Sequence, residues 1–122
     1  MATRSAVVTT RANGVVVITW SGLLNGDNGD GQEIPWQSEK CFHVTGTFGV
    51  GGSVSLKGTN TSPIVTGADI ILRDPQANAL TFTAAGLKQI LENPLLIYPH
   101  VTAGDGTTSL TVVVVCKPQF KL

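Results

Sequence analysis

The chain has 122 residues, eight Lys+Arg against eight Asp+Glu, and only 13% charged residues, about half the share of an ordinary soluble domain. That length implies a single domain with a real core, and the even charge leaves no basic field to attract nucleic acid. No apolar run approaches the ~18 residues that span a bilayer.

A chain so poor in charge either packs part of its surface against other chains or relies on neutral Thr, Ser and Gly for solvation. The opening MATRSAVVTT has no apolar h-region, so no secretory signal is expected. Val and Thr in short runs, punctuated by Gly and Asn, are strand-and-turn composition. The first predicted strand covers residues 6–10. Asn13-Gly14 follows as a hairpin turn signal, and GVVVITW (14–20) forms the second strand. The stretch LLNGDNGDGQEIPWQ (23–37) then reads as a long loop. CFHVTGTFG (41–49) alternates Phe42 and Val44 against His43 and Thr45, and SVSLKG (53–58) sets Val54 and Leu56 on one face. The pair predicts a second hairpin over 45–58.

Residues 59–63 read as a turn, 65–72 as a bent strand or strand pair, 74–79 as a loop and 79–83 as a short strand. Over 84–93, AAGLKQILEN places Leu87, Ile90 and Leu91 at helical spacing behind a Thr83 cap, with Asn93-Pro94 as a stop. One short helix is therefore expected there. LLIYPHVTA (95–103) and SLTVVVVCK (109–117) flank GDGTT as a final hairpin, and the unbroken Val112–Val115 run reads as a central strand covered on both faces. Turn signals every 8–12 residues predict an all-β fold: a single β-sandwich or jelly-roll-like domain over 1–122. Residues 118–122 read as a loose tail or an arm onto a neighbour.

Three kinds of chemistry are tested by spacing. An EF-hand loop needs Gly at position 6 and Glu at position 12. Neither the frame starting at Asn25 nor the one starting at Asp27 supplies them. Asp27, Asp30 and Glu33 still offer three carboxylates, although Asp, Asn and Gly ordinarily serve turns. GTFGVGGS (46–53) is glycine-rich but lies between strands, with no helix N-terminus to receive phosphate. Cys41 and His43 fall on one strand face, a spacing too generic for a nucleophile–base pair, and His100 follows Tyr98-Pro99. The expectation is a non-enzyme without cofactor, metal or small-molecule substrate. Cys41 and Cys116 are too few for a disulfide framework and read as thiols unless their strands are neighbours. Trp36, after Ile34-Pro35, either folds back over the sandwich edge or presents an apolar anchor to a partner.

Two stretches carry a resemblance. SLKGTNTSPIV (55–65) resembles a strand-and-turn of small β-sandwich proteins from the structural genes of tailed bacteriophages. NPLLIYPHVTAGDGTTSLTVVV (93–114) resembles the closing strands of the same proteins. After Asn60 the chain has Thr-Ser-Pro where the pattern has Asp-Gly and a following Trp, so no ligand at that turn is implied.

The resemblance implies a virion protein of the capsid decoration or cement type, made in the host cytoplasm and bound to the outer surface of the head. It further implies a homo-oligomer, a trimer above all, that engages the major capsid protein and reinforces the shell without chemistry. The candidate gripping arm is the 23–37 stretch: Ile34, Pro35, Trp36 and Gln37 as the anchor, with Asp27, Asp30 and Glu33 at its rim. The alternative is a carbohydrate- or receptor-binding β-sandwich module of a tail fibre or appended domain, which predicts a row of exposed aromatics.

Overall fold

The computed structural model describes residues 2–33, 38–65 and 67–118. Their strands, in chain order, are β1 (Thr3–Arg4), β2 (Val7–Thr10), β3 (Val16–Leu23), β4 (Asn28–Gly29), β5 (Gln32–Glu33) and β6 (Ser38–Thr47). There follow β7 (Ser53–Thr59), β8 (Ile70–Ile71), β9 (Thr81–Phe82), β10 (Gly86–Ile90), β11 (Leu96–Ala103) and β12 (Ser109–Pro118). They build two packed sheets, the expected β-sandwich. The first has the order β10-β6-β12-β3-β2. The second has the order β1-β4-β11-β7-β8, with β5 joined to β11 and β9 to β7.

Period-two alternation places the core between the sheets. Ile18, Trp20, Phe42, Val44, Val112 and Val114 face inward from the first sheet, and Val54, Leu56, Ile97 and Val101 from the second; all are essentially inaccessible. Phe42 and Phe82 stack across the interior with ring centroids 5.1 Å apart. At the end of β3 the pairing with β12 slips between Leu110 and Val112, beside Gly22 at φ 65°. Such a bulge needs a residue free to adopt positive φ.

The β2–β3 hairpin forms as expected, with the Gly14 amide donating to the Arg11 carbonyl at 2.9 Å and Gly14 at φ 86°. Two other expected hairpins do not form. β6 and β7 lie in different sheets, as do β11 and β12. Both edges of β6 are taken by β10 and β12, and β11 is paired on both sides, so each connection is an arch from one sheet to the other.

The short helix expected over 84–93 is also absent. Residues 86–90 form β10, paired antiparallel along β6 from Gly86↔Val44 to Ile90↔Lys40. A ten-residue helix is short of the roughly 12–15 residues at which an isolated helix holds in water, whereas the free edge of the long β6 strand offers a ready ladder. Ile90 enters the core, while Leu87 and Leu91 are left exposed. The Val112–Val115 run is central, as expected, but it alternates: Val113 and Val115 are half-buried on the outer face instead of covered. Pro118 still pairs with Ser38, and the rest of the expected tail, 119–122, lies outside the described residues.

Both arches meet at one end of the sandwich, where Asp105 joins them. Its carboxylate accepts from the Val50 amide at 2.8 Å, the Thr107 amide at 2.8 Å and the Thr107 hydroxyl at 2.6 Å. The Thr108 hydroxyl donates to the Phe48 carbonyl at 2.7 Å and closes the join. The Thr107 hydroxyl above all, helped by the Val50 and Thr107 amides, holds Asp105 down at about 2, against an ordinary 3.8. Because the folded value is the lower one, this contribution is complete above pH 3.8 and disappears as pH falls through about 2. Hydrogen exchange should therefore show the Val50 amide losing protection across that window, and showing none of it at neutral pH in Asp105→Ala, which removes the acceptor.

Candidate functional site

Through Glu33, the stretch expected to be a free arm belongs to the body of the fold. β4 and β5 add to β11, and β4 also receives β1 in parallel. Asp27 is 3% exposed. One of its oxygens accepts from the Ala2 amide at 2.9 Å; the other accepts from Arg4 Nε at 2.8 Å and the Leu24 amide at 2.9 Å. Burial alone would raise its pKa, but the Leu24 amide, the Arg4 guanidinium and the Ala2 amide hold it below the ordinary value.

Asp30 accepts from the Ala6 amide at 2.9 Å and from the buried indole Nε1 of Trp20 at 3.0 Å. Gly29 lies against the same indole; a Cβ there would stand 2.5 Å from Trp20 Cδ1 and from Pro99 Cδ. The acids and glycines of the run thus serve the fold, and only Glu33 is exposed among its three carboxylates. Ile34, Pro35, Trp36 and Gln37 lie outside the described residues. Among the described residues, no three His, Cys, Asp or Glu side chains converge as a metal site.

The largest concavity that these elements shape is a cleft of about 690 Å³ on the outer side of the second sheet, walled by Ile64, Gly67 and Asp69. Tyr98 and His100 alternate on β11 and so point to the same side, and Lys57 on β7 stands opposite Tyr98. The Tyr98 hydroxyl donates to Asp69 Oδ2, and Lys57 Nζ lies 3.5 Å from the same oxygen. The Tyr98 hydrogen bond lowers the Asp69 pKa despite burial, while burial and Asp69 push the phenol up. Burial, then Lys57, lowers the His100 pKa, opposed by Asp69 and by a hydrogen bond to the Asp27 backbone. His100 Nδ1 is buried without a hydrogen-bond partner. The cleft is therefore a mostly self-satisfied polar network with one open position.

Sequence reasoning singled out His100 but missed its companions. The alternation of Tyr98 and His100 was a usable signal, whereas Lys57 and Asp69 arrive from other parts of the chain.

The other side of the sandwich is different. The registers of the first sheet define two complete rungs across its outer face: Thr9–Val17–Val115–Cys41–Gln89 and Val7–Thr19–Val113–His43–Leu87. Neither holds an Asp, Glu, Lys or Arg. Val7 is 67% and Leu87 63% exposed, and the surface runs roughly 20 Å across its five strands. Charge returns only at the next rung on one side, where Lys117 pairs with Glu39. Cys41 lies on this outer face and Cys116 on the inner one, and the two form no disulfide. Burial raises the Cys41 pKa, with Lys117 opposing.

Two outcomes are expected. Asp27→Ala leaves the Ala2 and Leu24 amides and Arg4 without their acceptor, and should cost about 2–4 kcal/mol in denaturant unfolding. The lowered pKa of His100 means that its neutral form is the one the fold accommodates. The stability this gives is complete above the ordinary 6.5 and is lost as pH falls through the lower folded value. His100→Asn should therefore lose less stability than the parent between pH 7 and about pH 5 in urea titrations.

Searches against protein-family models and against curated proteins find no match to the chain. No helix among the described residues is long and apolar enough to cross a membrane.

Proposed function

We propose that this chain is a non-enzymatic structural subunit of a virion: a capsid decoration or cement protein that assembles as a homo-oligomer, a trimer in the leading form, and bridges subunits of the major capsid protein. The observation that supports this reading is the charge-free outer face of the first sheet. Such a surface, broad and rich in β-branched residues, buries against another protein without stranding an unpaired charge. Its ten residues are half-buried or exposed, so each contributes modestly, and several copies acting together supply strength by avidity. The resemblance of residues 55–65 and 93–114 to β-sandwich virion proteins points the same way.

Residues 33–37 remain the second candidate contact, with Glu33 as its exposed start. Carbohydrate binding has less support. Among the described residues Trp20, Phe42, Phe82 and Tyr98 are buried and Phe48 is half-buried, which leaves no row of rings for sugar stacking.

The test is reconstitution onto heads lacking the protein. A charge placed at the centre of the face, Val113→Lys or His43→Glu, should weaken head binding by about 100-fold, through burial of an unpaired charge, with the thermal midpoint of the free protein nearly unchanged. Full binding by both variants would remove the face from the reading. Failure of the parent protein to bind heads at all would remove the cement function itself.

A further inference from the structure

Lys40 is the one buried lysine among the described residues, at 3% exposure. It lies on the inward side of β6, paired across the ladders with Ile90 and Cys116, both in the core. A lysine in such a place must either find a strong partner or give up its proton. Its Nζ donates to the side-chain carbonyl Oδ1 of Asn93, which lies three residues beyond the end of β10. Glu92, next in the chain, stands within electrostatic reach of the same ammonium. Burial lowers the Lys40 pKa, with Cys116 and Glu92 opposing.

We propose that Lys40 and Asn93 are the reactants of an intramolecular isopeptide bond, formed after folding and assisted by Glu92. The hydrogen bond places the amine beside the electrophilic carbon and polarises the carbonyl that it will attack. Arg73 donates to Glu92 from its amide at 2.7 Å and from Nε at 2.8 Å, which keeps Glu92 a carboxylate able to accept a proton. In the step, the Lys40 ammonium gives one proton to Glu92, and its freed lone pair attacks Asn93 Cγ. The C=O electron pair moves onto Oδ1 and returns as the C–N bond to Nδ2 breaks. Nδ2 leaves as ammonia with a proton from Nζ, and Glu92 returns its proton to give ammonium. One C–N bond forms, one breaks, and nothing is oxidised or reduced.

Two further features favour the step. Asn93 borders an open cavity of about 420 Å³, a route by which ammonia escapes. Residue 94 is proline, which has no backbone N–H to attack the Asn93 side chain and divert it into a cyclic imide. The bond would tie β6 to the segment between β10 and β11, just beyond the Ile90↔Lys40 pair.

The test is independent of capsid binding. The purified, folded parent chain should be lighter than its sequence mass by one ammonia, about 17 Da. Protease digestion should give a branched peptide joining residue 40 to residue 93. Lys40→Arg and Asn93→Ala should each carry their full sequence mass, and Glu92→Gln should accumulate the bond more slowly after refolding. A parent chain at full sequence mass, or an ammonia loss that maps elsewhere, overturns the proposal whether or not the variants fold.

Discussion

The indole of Trp20 has no contact with solvent, yet its N–H must be satisfied. Much of the fold follows from that demand. Asp30 meets it, and β4 passes close against the ring at Gly29, where only a residue without a side chain fits. The turn at residues 25–26, with Gly26 at φ 84°, sets Asp27 where it collects the Ala2 and Leu24 amides and the Arg4 guanidinium, so the first residues of the chain are drawn in as β1. A polar, glycine-rich run thus becomes the seam that holds the chain's beginning to the second sheet.

The two sheets treat their outer faces differently. On the second sheet, Leu96 and Tyr98 point away from the core yet remain buried, because Ile64 and Asp69 come from the segment that crosses that side. The first sheet has no such cover among the described residues. Its outward valines, threonines, histidine and leucine are the residues one finds beneath another layer of protein. A sheet face is usually polar where water is its permanent neighbour, and the contrast within one molecule is what gives the open face its meaning.

The sandwich itself was legible because alternation of apolar and polar residues is a local signal that packing merely enforces. Ile18 and Trp20, Phe42 and Val44, and Val54 and Leu56 all sit where that alternation puts them. The Asn13-Gly14 hairpin was legible for the same reason. Leu87, Ile90 and Leu91 misled, since their spacing suits a helix, and only the unpaired edge of β6 decides for a strand. The arches misled because glycine and aspartate mark a reversal without saying which sheet the chain enters next. The roles of Asp27 and Asp30 were hidden because their partners lie 3 to 25 residues away. Lys40 gave no signal at all, since a lysine opening an amphipathic strand ordinarily points to water.

Where the β6–β7 arch turns, Val50 is 83% exposed, and Gly51 has no atom within 4 Å of where a side chain would begin. The Asp105 join beneath grips the chain on the near side of that tip, through the Val50 amide and the Phe48 carbonyl. Length added between Val50 and Gly51 would rise into solvent above the anchored base, without entering the core or crossing the open sheet face. The molecule therefore offers a natural mount for a foreign peptide, on the end of the sandwich and away from the charge-free sheet face.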